Sequence, residues 1–260
     1  MPWRRLGHRY PGLRSFLDRR FDAANHLGLH LTLGMVLALA AVSLFALLAC
    51  AVVGLGMAQV MHYDAHLNAN LADEATRRPE LTGLFRFITD LGDLPFLGLL
   101  SLAVTLVLVG LMIRRGRHGE LAALWIIATL GVGELNWLLK ELFQRPRPDN
   151  ALFPAGGWSF PSGHSMGALV VYGMLCYLLL VAVRHRWAQR CIVAGVVLLV
   201  AAIGFSRAYL RVHWPTDVVG GYAAGTAWLA LCIATSETLR RRPNGVTKPT
   251  DEAAANPDSA

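Results

Sequence analysis

Six stretches of the chain stay apolar for about the twenty helical residues needed to cross some 30 Å of hydrocarbon. They lie near 31–57, 94–113, 121–142, 162–183, 191–210 and 217–239. Each predicts a membrane-crossing helix, so the fold class is all-α, a polytopic bundle of six transmembrane helices. The first stretch is too long for a signal-peptide core and lacks a clear small-residue cleavage site, which predicts a retained span. Within 81–91, Leu81, Leu84, Phe85, Ile88 and Leu91 recur at helical spacing with Thr82, Arg86 and Asp90 opposite. That pattern predicts an amphipathic helix, either lying at the outer interface or packed on the protein core. Trp3, Leu6, Tyr10, Leu13, Phe16, Leu17 and Phe21, mixed with arginines, predict a similar helix near the start. The chain thus divides into a basic segment 1–30, a six-span domain 31–239 and a tail 240–260. Residues 243–260 are rich in Ala, Pro, Asn, Asp and Thr and are expected to be disordered.

Composition agrees with a membrane protein. Hydrophobic residues make up 55% of the 260 residues and charged residues 16%, against roughly 25% charged in a soluble domain; mean hydropathy is +0.45. The net charge of +7 does not point to nucleic acid, because the basic residues form short clusters between apolar runs. Arg4, Arg5, Arg9, Arg14, Arg19 and Arg20 precede the first span; Arg114, Arg115 and Arg117 follow the second. Arg184, Arg186 and Arg190 follow the fourth, and Arg240, Arg241 and Arg242 the sixth. These clusters alternate along the chain and so share one side, which the positive-inside rule makes cytoplasmic, with both termini. The segment 58–93 carries Asp64, Asp73, Glu74, Glu80, Asp90 and Asp93 against Arg77, Arg78 and Arg86, and belongs outside. A cell (inner) membrane location follows. Cys50, Cys176, Cys191 and Cys232 show no metal-ligand spacing and read as small hydrophobes.

Three polar segments interrupt this pattern: Lys140-x6-Arg147-Pro148, Pro161-Ser162-Gly163-His164 and Ser206-Arg207-x5-His213-x3-Asp217. An even number of crossings separates the first two from the third, so all three face one compartment, the external one. His213 and Asp217 share a helical face or a turn entering span six at Pro215; in both cases the carboxylate can fix the imidazole tautomer and free the other nitrogen as a nucleophile. Ser206 and Arg207 are placed to hold phosphate oxygens. Ser162 is a good N-cap, Gly163 permits close backbone approach, and the start of span four offers N–H groups to an anion. His164, in that first turn, is placed as a general acid. Lys140 reads by default as a snorkelling anchor, and Arg147 as a bidentate phosphate clamp; Arg145-Pro146 repeats the dipeptide, so spacing leaves the two arginines open. Glu134 and Asn136 interrupt span three as either functional or helix-pairing groups. Gly221 and Gly225 predict close helix packing.

In this order and spacing, the three segments resemble the type 2 phosphatidic acid phosphatase (PAP2) superfamily, over roughly residues 140–217. Its members include lipid phosphate phosphatases, bacterial phosphatidylglycerophosphate and undecaprenyl-pyrophosphate phosphatases, and vanadium haloperoxidases. The resemblance implies that His213 attacks phosphorus to form a phosphohistidine, that Asp217 orients it, and that His164 protonates the leaving group and then activates water. It makes Lys140, Arg147, Ser162, Gly163 and Arg207 phosphate-binding positions, and it implies no metal or other cofactor. The expected activity is hydrolysis of a lipid phosphate or diphosphate, with the membrane lipid as partner and no nucleic acid. A lipid phosphotransferase would use the same histidine; a haloperoxidase fits six spans poorly, and a transporter fits poorly with polar groups gathered at one surface.

Overall fold

The computed structural model describes residues 26–54, 57–115 and 119–240. Among them are eight helices and no strand: α1 (His26–Val53), α2 (Met57–Arg77), α3 (Pro79–Asp90), α4 (Leu94–Arg115), α5 (Gly119–Phe143), α6 (Gly163–Ala182), α7 (Arg186–Tyr209) and α8 (Pro215–Arg240). Six segments are long and apolar enough to cross a membrane: Gly34–Val52, Pro79–Arg114, Gly119–Phe143, Gly163–Ala182, Arg186–Tyr209 and Pro215–Thr235. They match the six predicted stretches, the second reaching back through α3. The helix expected around Trp3–Phe21 and the tail 243–260 lie outside the described residues.

Lipid tails are as apolar as leucine, so a membrane bundle is held by close packing and by hydrogen bonds rather than by hydrophobic exclusion. Both devices are visible. A Cβ built on Gly221 would meet Ser162 O at 2.6 Å, and one on Gly225 would meet Met166 O at 3.1 Å, so α8 lies almost backbone-to-backbone on α6. The GxxxG spacing therefore serves packing within the chain. Buried and half-buried aromatics direct their polar handles to carbonyls of neighbouring helices: Trp125 Nε1 donates to Ser101 O (3.1 Å), Trp228 Nε1 to Ala128 O (3.0 Å) and Tyr222 OH to Val200 O (2.6 Å). The core they frame contains Trp125, Ala128 and Val132 of α5, Met166, Val170 and Met174 of α6, and Ile203 of α7. Leu47, Leu99 and Leu198 point outward toward lipid. Of the cysteines, Cys176 and Cys232 are buried, whereas Cys50 and Cys191 are exposed.

The segment 58–93 is a helical pair rather than a loop. α2 is polar over much of its length and packs on α7 and α8, while α3 lies along α7. Part of the apolar face expected for 81–91 packs on the core, Phe85 lying on Tyr209 (centroids 4.3 Å apart) and Phe205 (5.4 Å), while Leu84 is exposed. Glu134 lies exposed on α5 beside Trp137 and Leu138, while Asn136 turns inward against α6.

Candidate active site

Crossing parity has a direct structural counterpart. α5 and α7 end, and α6 and α8 begin, at the same end of the bundle, and all three polar segments gather there. The connection 144–162 is pinned beneath them. Phe160 is sealed between Phe45 (5.6 Å) and Phe143 (5.3 Å), Ser159 N donates to Arg145 O (2.8 Å), and Trp214 Nε1 donates to Pro146 O (3.0 Å). Backbone links join the second and third segments as well, since Ser162 N donates to Asp217 O at 3.0 Å.

His213 sits in the turn before α8 and is 2% exposed. Between the two arrangements open from its spacing to Asp217, the structure takes the turn: Pro215 is the first helical residue, and the Asp217 carboxylate reaches back to accept from Trp214 N at 2.8 Å, the return contact of a capping box. The same oxygen, Oδ2, lies 3.5 Å from His213 Nδ1, which has no hydrogen-bond partner. On the opposite side of the ring, Arg147 Nη1 is 3.2 Å from Nε2. A guanidinium can only donate. Nε2 must therefore present its lone pair, and the proton of the neutral ring belongs on Nδ1, facing Asp217. Burial, then the charges of Arg147, Arg207 and Lys140, hold His213 well below the usual imidazole value.

The cations whose charges act on this ring are not free clamps. Arg147 donates Nε to Gly157 O (3.0 Å), Nη2 to Gly156 O (2.9 Å) and Trp158 O (3.3 Å), and Nη1 to Val212 O (2.6 Å) as well as His213. Those contacts occupy all five of a guanidinium's N–H donors, so the bidentate grip expected of Arg147 is not available in this arrangement. Burial draws its pKa down. Lys140, expected by default to snorkel outward, turns inward and donates to Trp158 O. Arg207 donates Nη1 to Thr89 Oγ1 (2.9 Å), lies over the Phe153 ring at 5.6 Å, and keeps a buried Nε without a partner. That Nε is a donor still open to an anion. Ser206, by contrast, donates its hydroxyl to Ile203 O at 2.6 Å and is fully buried, so it does not serve as an oxygen ligand here.

Ser162 caps α6 as predicted, its Oγ accepting from Ser165 N at 3.4 Å. Gly163 leaves room for a side chain of α5: a Cβ there would meet Asn136 Oδ1 at 2.9 Å. His164 is 18% exposed on its side chain, and its Nε2 pairs with Asp93 Oδ1.

Three residues of the site escaped the sequence reading. Asp93 is the partner of His164. Arg145, left open beside Arg147, is buried and donates to Asp217 Oδ1 and Asp64 Oδ2, both at 2.6 Å. Asp64, on α2, is fully buried. The two arginines are thus not alternatives: Arg147 addresses the histidine and Arg145 the aspartate behind it. Arg211, between Arg207 and His213, has a left-handed backbone (φ 60°) and a buried Nε without a partner.

The profile of the PAP2 superfamily matches residues 119–241. The chain is 36% identical over 189 residues to phosphatidylglycerophosphatase B of Bacillus subtilis, covering 68% of this chain and 89% of that protein. It is 33% identical over 131 residues to a putative undecaprenyl-diphosphatase of Escherichia coli, covering 48% of this chain and 59% of that protein. Among solved structures, a transmembrane PAP2-type phosphatidylglycerolphosphate phosphatase from Bacillus subtilis superposes with a TM-score of 0.66 at 28% identity, covering 78% of this chain and 98% of that one. The chain belongs to the PAP2 superfamily. It is a multi-pass membrane protein of that superfamily's phosphatase type.

Proposed function

We propose that the protein removes phosphate from a phosphomonoester or diphosphate on a membrane lipid, through a phosphohistidine on His213, at the external (periplasmic) face. The observation that carries this reading is the aim of His213: its Nε2 lone pair faces Arg147 Nη1 at 3.2 Å, and the charges of Arg147, Arg207 and Lys140 act on the ring, which suits an incoming phosphoryl group. In the first step Nε2 attacks phosphorus, the N–P bond forms as the P–O bond to the leaving group breaks, and His164 gives that oxygen a proton. In the second, water attacks phosphorus, the N–P bond breaks, and His164 takes the water's proton as phosphate departs. As Nε2 bonds to phosphorus, the Arg147 N–H now directed at it becomes free to meet an equatorial oxygen, beside Arg207 Nε. Such fixed donors act on charge that develops in the transition state. Ser162 and Gly163 add the N-terminus of α6, whose N–H groups favour an anion.

The arginine clusters support an external site, because they follow the opposite ends of the spans. The names of the relatives support a lipid carrying a phosphate or diphosphate. Purified protein in vesicles containing phosphatidylglycerophosphate, phosphatidate or undecaprenyl diphosphate should release phosphate from at least one of them. His213→Ala should abolish this while the protein still inserts and runs as a single species in detergent. Near-normal turnover by that variant would refute the phosphohistidine.

A further inference from the structure

Asp64 has no place in the three polar segments and lies outside residues 119–241, yet it is fully buried. A carboxylate is rarely sequestered in this way unless it is paired, and its partners here are complete. Oδ2 accepts from Arg145 Nη2 (2.6 Å) and from Thr216 Oγ1 (2.5 Å), and Oδ1 accepts from Thr216 N (3.1 Å). Arg145 Nη1 in turn donates to Thr216 Oγ1 (2.8 Å) and Asp217 Oδ1 (2.6 Å). The result is a line of alternating charges, Asp64, Arg145, Asp217, ending on the imidazole of His213.

The order of those charges matters. An isolated Asp217–Arg145 pair is neutral, and Arg145 would draw the carboxylate's negative charge away from His213. A second carboxylate behind the guanidinium returns the group to a net single negative charge. We propose that Asp64 is a positioning residue for the nucleophile: it balances Arg145 from behind, so that Asp217 keeps both its orientation and its charge for His213. The proposal rests on the phosphohistidine reading above. When Nε2 attacks phosphorus the ring becomes cationic, and the charge line stabilises that cation more than the neutral ring. The effect therefore belongs to the chemical step and not to substrate binding.

The test uses full-length protein in detergent and in vesicles, with p-nitrophenyl phosphate and phosphatidate as probes. Asp64→Asn keeps the size and most hydrogen bonds but removes the charge. Its kcat should fall about tenfold, the low end of the range for losing a group directly behind a reacting one, because Arg145 and Asp217 stand between Asp64 and His213, with KM little changed. The acid limb of kcat/KM should also move to lower pH. Lys140 of α5, Arg147, His164 of α6 and Arg207 of α7 all face His213 as actual or potential cations, and loss of a carboxylate leaves them less opposed, so protonation of His213 requires more acid. A merely structural role would lower the active fraction without moving that limb. Removing the cation as well should relieve the imbalance, so Asp64→Asn/Arg145→Gln should be more active than either single variant.

Asp64→Asn with wild-type kcat and an unmoved acid limb would overturn the proposal. So would a double variant that folds but is no more active than Arg145→Gln, a comparison that holds even if Asp64→Asn alone fails to fold. An active His213→Ala would instead overturn the phosphohistidine reading, and this proposal with it.

Discussion

Replacing Gly221 by alanine adds one methyl group at the tightest point between α8 and α6. The new Cβ would stand 2.6 Å from Ser162 O and 2.9 Å from Ser165 Cβ. Neither neighbour is the loose end of a side chain. Ser162 O already accepts the first hydrogen bond of α6, from Met166 N at 3.0 Å, and Ser162 N is tied to Asp217 O. The two helices must therefore part by roughly half an ångström, and overpacking of this kind costs about 1–3 kcal/mol. The gain from replacing glycine in a helix, about 0.5–1 kcal/mol, offsets only part of it. Activity should suffer more than stability. The parting helices carry His164 and Asp217, and since a 1 Å misplacement can cost about a hundredfold, half of that should lower kcat about tenfold. Gly225→Ala is the internal comparison: its nearest contact, Met166 O at 3.1 Å, asks for a few tenths of an ångström from its neighbours, and its effect on kcat should be small. Thermal unfolding in detergent and initial rates of phosphate release measure the two quantities. A Gly221→Ala protein with wild-type rate and stability, or a Gly225→Ala protein that is the worse of the pair, would refute this account of the contact.

Two further outcomes derive from the site. His213 is held well below the usual imidazole value, so it stays neutral in mild acid, and with His213 as the proposed nucleophile the acid limb of kcat/KM should fall below about pH 6.5. The same shift destabilises in acid: the unfolded chain takes up a proton at this position before the folded one does, so stability should start to fall near about pH 6.5 and continue down to the folded pKa. Denaturation midpoints measured from mildly alkaline to mildly acidic pH check the sign. Asp93→Asn removes the carboxylate that pairs with His164. If His164 protonates the leaving oxygen, this variant should lose much more activity on an alkyl phosphate than on p-nitrophenyl phosphate, whose leaving group departs without a proton. Equal losses on both substrates would remove Asp93 from that step.

Much of this was legible along the chain because membrane spans are declared by local runs of apolar residues. Crossing parity alone then places Lys140, His164 and His213 at one end of the bundle. What could not be read was pairing across long separations. Asp64 and Arg145 are 81 positions apart in sequence, and Asp64 sits in a helix with Asp73 and Glu74, with nothing local to distinguish a buried carboxylate from a solvated one. In the sequence Asp93 reads only as one more external negative charge, although it ends the turn into α4 and meets His164. The dipeptide repeat Arg145-Pro146-Arg147-Pro148 was ambiguous for another reason: spacing can show that an arginine reaches a site, but not which side of the histidine it meets. Likewise the sequence made Arg147 a phosphate clamp, and only the loop carbonyls of Gly156, Gly157 and Trp158 show its donors already engaged.

The helix pair α2–α3 also bears on how the effects of substitutions should be ranked. It lies outside residues 119–241, yet it provides Asp64 to the charge line and Thr89 to Arg207, and it leads into the turn that carries Asp93. A survey that weighs variants by the family's signature positions would score changes in this pair as tolerated. A chimera made by grafting the signature region onto a relative's first helices would keep every motif and still lose the counter-charges behind two of them. The unit to exchange, or to screen for damaging variants, extends upstream to at least Asp64.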